Sequence, residues 1–306
     1  MRLKADITLL LVSIIWGSAF VAQRVAGQMG NVYQFNGARY LLAALVVLPF
    51  AWRALRTHNS ADQAKSPIYM PRDQYKWMFI AGFFLFIASA VQQAGMVYTT
   101  AGNAGFITSL YVVMVPIALF LFWGERPHWL SIVAVGLAGV GAFLLSTGGT
   151  FVFHLGDALE FIGAIFWTFH VIILGKYASK FEAMSFSVGQ LIVSGLLNLL
   201  VGLVVEPLMT LHPQLLFAIV YTALFSIGLC YTLQVWAQRH SPPSDAALIL
   251  SLESVFAVLA GWLLLNETLI AIQIFGCAMI LFAVMLAQFK EWTSGTIDPD
   301  HLVEGR

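Results

Sequence analysis

Charge is what this sequence has least of. Only 10% of its 306 residues are Asp, Glu, Lys or Arg, where a soluble domain carries about 25%. Lys and Arg balance Asp and Glu at 15 each. The few basic residues are spread along the chain, so no basic face is available to grip a phosphate backbone, which speaks against nucleic acid as a partner. Cysteine is scarce too. Cys230 and Cys277 both fall inside apolar runs, with neither CxxC spacing nor a His cluster, and read as packing residues. There is no GxxxxGK[ST] motif, no HExxH and no GxSxG, so nothing points to direct ATP drive, a metalloprotease helix or a hydrolase elbow. The chain is expected to be no enzyme and to need no cofactor.

What is present is hydrophobic: 60% of the residues are apolar or aromatic. A helix needs roughly 20 apolar residues to cross about 30 Å of hydrocarbon, and it satisfies its own backbone while doing so. Cutting at polar, Gly and Pro breaks predicts an all-α integral membrane protein with ten transmembrane helices, at 6–26, 33–52, 75–97, 102–123, 128–146, 156–176, 184–206, 214–237, 244–265 and 270–290. The opening "MRLKADITLLLVSIIWGSAF" lacks a small-residue cleavage site and reads as a retained first helix. The connection "RALRTHNSADQAKSPIYMPRDQYK" reads as a flexible loop, and the tail 291–306 as disordered and cytoplasmic. Of the 15 basic residues, all but Arg24 and Arg39 fall on one side of such a topology. That asymmetry predicts both termini cytoplasmic.

The chain also repeats itself. One internal alignment superimposes Gln92 on Gln234, Ser109 on Ser251, Tyr111 on Glu253 and Glu125 on Glu267, and a second pairs Asp6 with Asp157 and Trp16 with Trp167. Residues 1–150 and 151–290 thus read as two five-helix units. Five crossings reverse direction, so the second unit is inverted relative to the first, an arrangement typical of secondary transporters.

"WGSAFVAQR", "YTTAGNAGFITSLYVVMVP" and its counterpart "AQRHSPPSDAALILSLESVFAVLAGWLLLNET" resemble the EamA-type transporters of the drug/metabolite transporter superfamily. The resemblance covers about residues 5–290. It implies ten helices, export of small metabolites, and a central cavity enclosed mainly by helices one to four and six to nine, with five and ten peripheral. It also suggests a bacterial inner membrane.

Polar groups inside such helices are expensive and mark sites or pairs. Glu253, in the middle of "LILSLESVFAVLAGWLLL", is the leading candidate, with Arg39 its expected partner. The two form a static ion pair, or Arg39 takes the carboxylate and Glu253 the ammonium of a zwitterion such as an amino acid, or Glu253 couples transport to protons. Tyr111, Gln92, Trp167 and His170 are further candidates for substrate contact, and Gln190, Ser194 and Asn198 form a polar stripe along helix seven that either lines the cavity or bonds between helices. Gln93 and Gln234 orient a ligand or bridge helices. Arg24 is read as an outer gate or anchor, paired with Asp157, Glu160 or Glu206, while Glu125 and Glu267 are read as helix caps. Gly136, Gly139 and Gly141 suit close packing and suggest at most a weak dimer. The alternative substrate class is lipophilic cations, for which aromatic residues and Glu253 suffice.

Overall fold

The computed structural model describes residues 1–29, 31–61, 72–147, 155–178, 181–265, 268 and 270–294, and the regular structure among them is all helical. Glu267, most of the long polar connection and the tail beyond residue 294 lie outside the described residues. In chain order the helices are α1 (Arg2–Gln28), α2 (Val32–Ala61), α3 (Arg72–Gly95), α4 (Ala101–Ser109), α5 (Tyr111–Trp123), α6 (Trp129–Thr147), α7 (Leu155–Tyr177), α8 (Ala183–Val205), α9 (Pro213–Tyr221), a π-helical stretch (Thr222–Leu229), α10 (Cys230–Ala237), α11 (Pro243–Leu250), α12 (Glu253–Leu265) and α13 (Ala271–Ser294).

Among the described residues, eight helical stretches are long and apolar enough to span a bilayer: Arg2–Gln28, Val32–Ala54, Asp73–Gly95, Ala101–Trp123, Leu155–Tyr177, Ala183–Val205, Pro213–Ala237 and Pro243–Leu264. The fifth and tenth expected spans are shorter apolar helices among the described residues, Trp129–Leu144 and Ala271–Leu286. These two pack on each other. A Cβ at Gly141 would lie 2.7 Å from the Gly276 carbonyl, and one at Gly139 3.0 Å from Val113, so both glycines serve contacts within the chain. The outer faces, with Ile132, Ile274, Phe282 and Met285, are left exposed, as a lipid-facing periphery requires. At its C-terminal end α2 runs on to Ala61, past the expected end at residue 52, because "RALR" consists of good helix formers.

Local chemistry sets the helix ends. Thr100 accepts from the Asn103 N–H at 3.1 Å to start α4, and Glu182 accepts from Met184 and Ser185 to start α8. Proline opens α9 and α11, where its missing N–H is not needed. Gly124, at φ 69°, ends α5 in the left-handed conformation. Glu125 is not the cap the sequence suggested: it pairs with Lys176 at the end of α7, and His128 Nδ1 accepts from the Leu130 N–H instead.

Three spans are interrupted midway. Between α4 and α5 the Leu110 N–H turns to the Ile107 carbonyl, with Pro116 one turn further on. Between α11 and α12 hydroxyls add hydrogen bonds to the carbonyls at the break: Ser251 to Leu248 at 2.7 Å, Ser254 to Ser251 at 2.7 Å and Ser13 to Ile249 at 3.0 Å. The third interruption is the π-helical stretch, where Trp16 Nε1 donates to the Ser226 carbonyl at 2.7 Å. Trp16→Phe would leave that carbonyl without its donor, and a loss of about 1–2 kcal/mol is expected in unfolding of the detergent-solubilised protein. Helix pairs form throughout: α2 with α8, α3 with α7, α6 with α13, and α1 with α12.

Candidate functional site

The interruptions meet at one cavity between the helices. It is lined from α1 by Trp16, Phe20 and Gln23, from α2 by Arg39 and Tyr40, from α3 by Gln92, and from α4 and α5 by Thr108 and Tyr111. The far wall is Trp167 of α7, Ser226 and Tyr231 around the π-helical stretch, Gln234 of α10, and Glu253 at the first position of α12. Its volume is about 40 Å³, room for a few waters. Helix α8 contributes nothing to the lining, contrary to the enclosure expected from the sequence.

Arg39 and Glu253 share this space but are not paired. Arg39 is 2% exposed and Glu253 3%, and no carboxylate among the described residues forms a salt bridge with the guanidinium. Its Nε has no hydrogen-bond partner among the described residues; the group lies instead over the Phe35 and Tyr40 rings, at 4.9 and 5.4 Å from their centroids. Glu253 Oε1 is equally unpartnered. The Tyr111 hydroxyl approaches the carboxyl group without meeting hydrogen-bond geometry. So the static ion pair is not formed, and the neighbour of Glu253 is the residue the internal alignment superimposes on it. Starting α12, Glu253 also sits where free helix N–H groups favour negative charge.

The wall opposite these charges is aromatic. Tyr231 lies between Trp16, at 5.3 Å, and Trp167, at 6.3 Å and nearly parallel. Its hydroxyl is 3.5 Å from that of Tyr40. Gln234 faces the cavity with both amide atoms unpartnered. Among the described residues no group of three or more His, Cys, Asp or Glu could hold a metal ion.

A model of the EamA-like transporter family matches residues 3–147 and again residues 154–289. The chain belongs to the EamA-like transporter family. An uncharacterized transporter of Archaeoglobus fulgidus is 32% identical over 291 residues, covering 94% of this chain and 87% of the relative. The uncharacterized inner membrane transporter YedA of Escherichia coli K12 is 27% identical, covering 91% and 89%. A protein of Chlamydia muridarum named as an S-adenosylmethionine/S-adenosylhomocysteine transporter is 21% identical, covering 93% and 92%. One crystal structure superimposes with a TM-score of 0.73 at 15% identity, covering 97% of this chain and 100% of its own; at that identity the likeness shows the fold alone.

In this EamA-family chain the remaining sequence candidates lie away from the cavity. His170 Nε2 bonds Gln190 Oε1 at 2.9 Å, and the imidazole meets the rings of Trp167 and Tyr231 edge-on, so both residues back the aromatic wall rather than line it. Asn198 donates to the Ser194 carbonyl at 2.9 Å. The whole polar stripe is buried where α8 packs against α2 and α3; a Cβ at Gly195 would meet Leu41 at 2.8 Å and one at Gly189 would meet Met78 at 2.4 Å. Gln93 is likewise interhelical, donating to the Gln23 carbonyl at 2.8 Å. Arg24 reaches the Thr99 carbonyl. Of its expected partners, Glu206 accepts from the Tyr33 and Gln34 N–H groups and so caps α2, Asp157 accepts from the Thr99 hydroxyl, and Glu160 accepts from Thr108.

Reading the sequence missed Tyr40, Tyr231 and Trp16 as cavity residues. The signal for Trp16 was present in its alignment with Trp167, since both flank the same tyrosine. Tyr231 stands in an apolar run with no charge beside it, and only the convergence of helices identifies it.

Proposed function

We propose that this chain is a secondary transporter that exports small amphiphilic metabolites, amino acids or related zwitterions, by alternating access. The observation that carries the reading is that Arg39 and Glu253 line one small cavity without pairing with each other. Each is costly to bury alone, and a zwitterion relieves both: its carboxylate takes the planar fork of Arg39, and its ammonium takes Glu253 with Tyr111. Gln234 and Gln92 supply neutral donors and acceptors, and the rings of Trp16, Trp167 and Tyr231 contact the apolar part. The Chlamydia relative is consistent with this, because the two compounds in its name end in an amino-acid zwitterion. Proton uptake by Glu253 would displace the ammonium and offers a route to coupling.

Two inverted five-helix units, 1–150 and 151–290, are supported by the doubled family match and by the interruptions at Leu110 and at Ser251–Leu252, which fall at aligned positions. Helix pairs follow the same exchange, α1 with α12 being answered by α7 with α5. Both termini on the cytoplasmic side of an inner membrane, a monomer as the working unit and Arg24 as an outer gate complete the reading. A cavity of about 40 Å³ is far below the roughly 300 Å³ of a small-ligand pocket, which fits a closed conformation between two open ones.

The test is efflux from proteoliposomes loaded singly with zwitterionic amino acids or lipophilic cations, with and without a proton gradient. Flux of a zwitterion, competed by other zwitterions, is expected. Flux of cations alone would favour the second reading, in which the aromatic wall and Glu253 hold the cation; Arg39 facing the same space opposes it. No flux of either class would sink the assignment.

A further inference from the structure

We infer that Glu160 is a second acid site of this protein, a proton-binding carboxyl group wired to the central cavity through Thr108 and Gln92. The inference rests on the transporter reading only for its purpose; the site itself stands on geometry. Glu160, on α7, has no exposed surface. Its Oε2 accepts from the Thr108 hydroxyl at 3.3 Å, and the Thr108 oxygen in turn accepts from Gln92 Nε2 at 2.8 Å. Gln92 and Thr108 both line the cavity, so two hydrogen bonds lead from the substrate space to a carboxyl group outside it. Glu160 Oε1 has no hydrogen-bond partner among the described residues. It is tucked against Gly95, where a Cβ would lie 2.7 Å from it.

Among the described residues no cation is set against this carboxyl group. Helix α3 presents Gln92 and Gly95, α4 presents Thr108, and α7 itself presents Asp157, of like charge one turn earlier. Arg24 of α1 is occupied by the Thr99 carbonyl, whose hydroxyl donates to Asp157 at 3.2 Å. A purely architectural role is opposed by the other half of the chain. Under the internal alignment, Gln92 recurs as Gln234, but Thr108 and Glu160 are answered by Leu250 and Leu9, both fully buried. The scaffold closes over two leucines there and needs no acid.

An ionised carboxylate without a counter-charge in this position is strongly disfavoured, so in the closed arrangement Glu160 holds one proton as a neutral acid. Release of that proton leaves one negative charge, which requires water or Arg24 to reach it. Thr108 lies two residues before the interruption at Leu110. Moving α4 off α7 breaks the Thr108 bond and opens that access, so proton exchange is tied to the motion that opens the cavity.

The experiment is infrared spectroscopy of the purified protein in lipid bilayers across pH, following the carbonyl bands of protonated carboxyl groups. Glu160→Gln is expected to remove one band that Glu253→Gln retains, and Thr108→Val is expected to shift that band because its hydrogen-bond donor is gone. In proteoliposomes, gradient-driven accumulation by Glu160→Gln is expected to fall about tenfold. Unchanged bands in Glu160→Gln would overturn the inference. Should that variant not fold, Thr108→Val decides alone: a shifted band supports the site and an unchanged spectrum overturns it. The spectra require no substrate, so the band assigned with no carriage of any zwitterion would leave the acid site standing and sink the transport reading instead.

Discussion

Arg39→Gln is expected to raise the half-saturating concentration of a zwitterionic substrate about 10- to 150-fold, since a hydrogen bond to a charged group contributes about 1.5–3 kcal/mol. Glu253→Gln is expected to do the same through the ammonium. Stability separates this from a structural role. Breaking a buried ion pair by removing one partner costs about 3–5 kcal/mol, because the other charge is stranded, and removing both restores much of the loss. Here neither group has an ionic partner among the described residues to strand, so each single variant should unfold at the wild-type temperature or above it. A substrate concentration that saturates the wild type should then raise its unfolding temperature by more than that of either variant. Both variants markedly destabilised, with a rescued double variant, would return the pair to the scaffold.

Gly17→Ala is expected to be the most damaging single methyl group in α1. Its Cβ would lie 2.4 Å from Phe256 Cβ and 2.7 and 2.8 Å from the backbone of residues 256 and 257. Backbone cannot rotate aside, so α1 and α12 must part along the seam that carries Trp16 on one side and Glu253 on the other. Overpacking of this kind costs about 1–3 kcal/mol, and the displacement should also lower transport. Gly136 is the matched control: nothing lies within 4 Å of a Cβ there, so Gly136→Ala should be neutral or slightly stabilising, Ala being the better helix former by about 1 kcal/mol. Equal unfolding temperatures for the two variants would show that the α1–α12 contact is looser than described.

The motif "WGSAF" illustrates how much of this was legible. Its resemblance to a family could be read from the letters, yet the reasons for them are tertiary: Trp16 bonds a carbonyl of the π-helical stretch, and Gly17 admits α12. Arg39 and Glu253 were recognisable because an ionisable group in an apolar run is expensive wherever it points. Their relation was not. The sequence suggested a pair because opposite charges lay at similar depth, whereas depth along two helices leaves rotation and separation undetermined. The stripe of Gln190, Ser194 and Asn198 failed as a cavity lining for the same kind of reason: spacing shows that three residues share a face, not which neighbour that face meets.

What the sequence by itself determined is the class of molecule. Runs of about 20 apolar residues can satisfy their backbone in lipid only as helices, the duplicated pattern suggests two similar halves, and the family resemblance rests on motifs such as "YTTAGNAGFITSLYVVMVP". What only the tertiary structure decided is which polar groups face one another. Helix formation is local, set by hydrogen bonds four residues apart, so it can be read from the chain. The cavity is made by residues from seven spans far apart in sequence, and its chemistry depends on helix rotations set by close contacts such as Gly17 on Phe256 and Gly195 on Leu41.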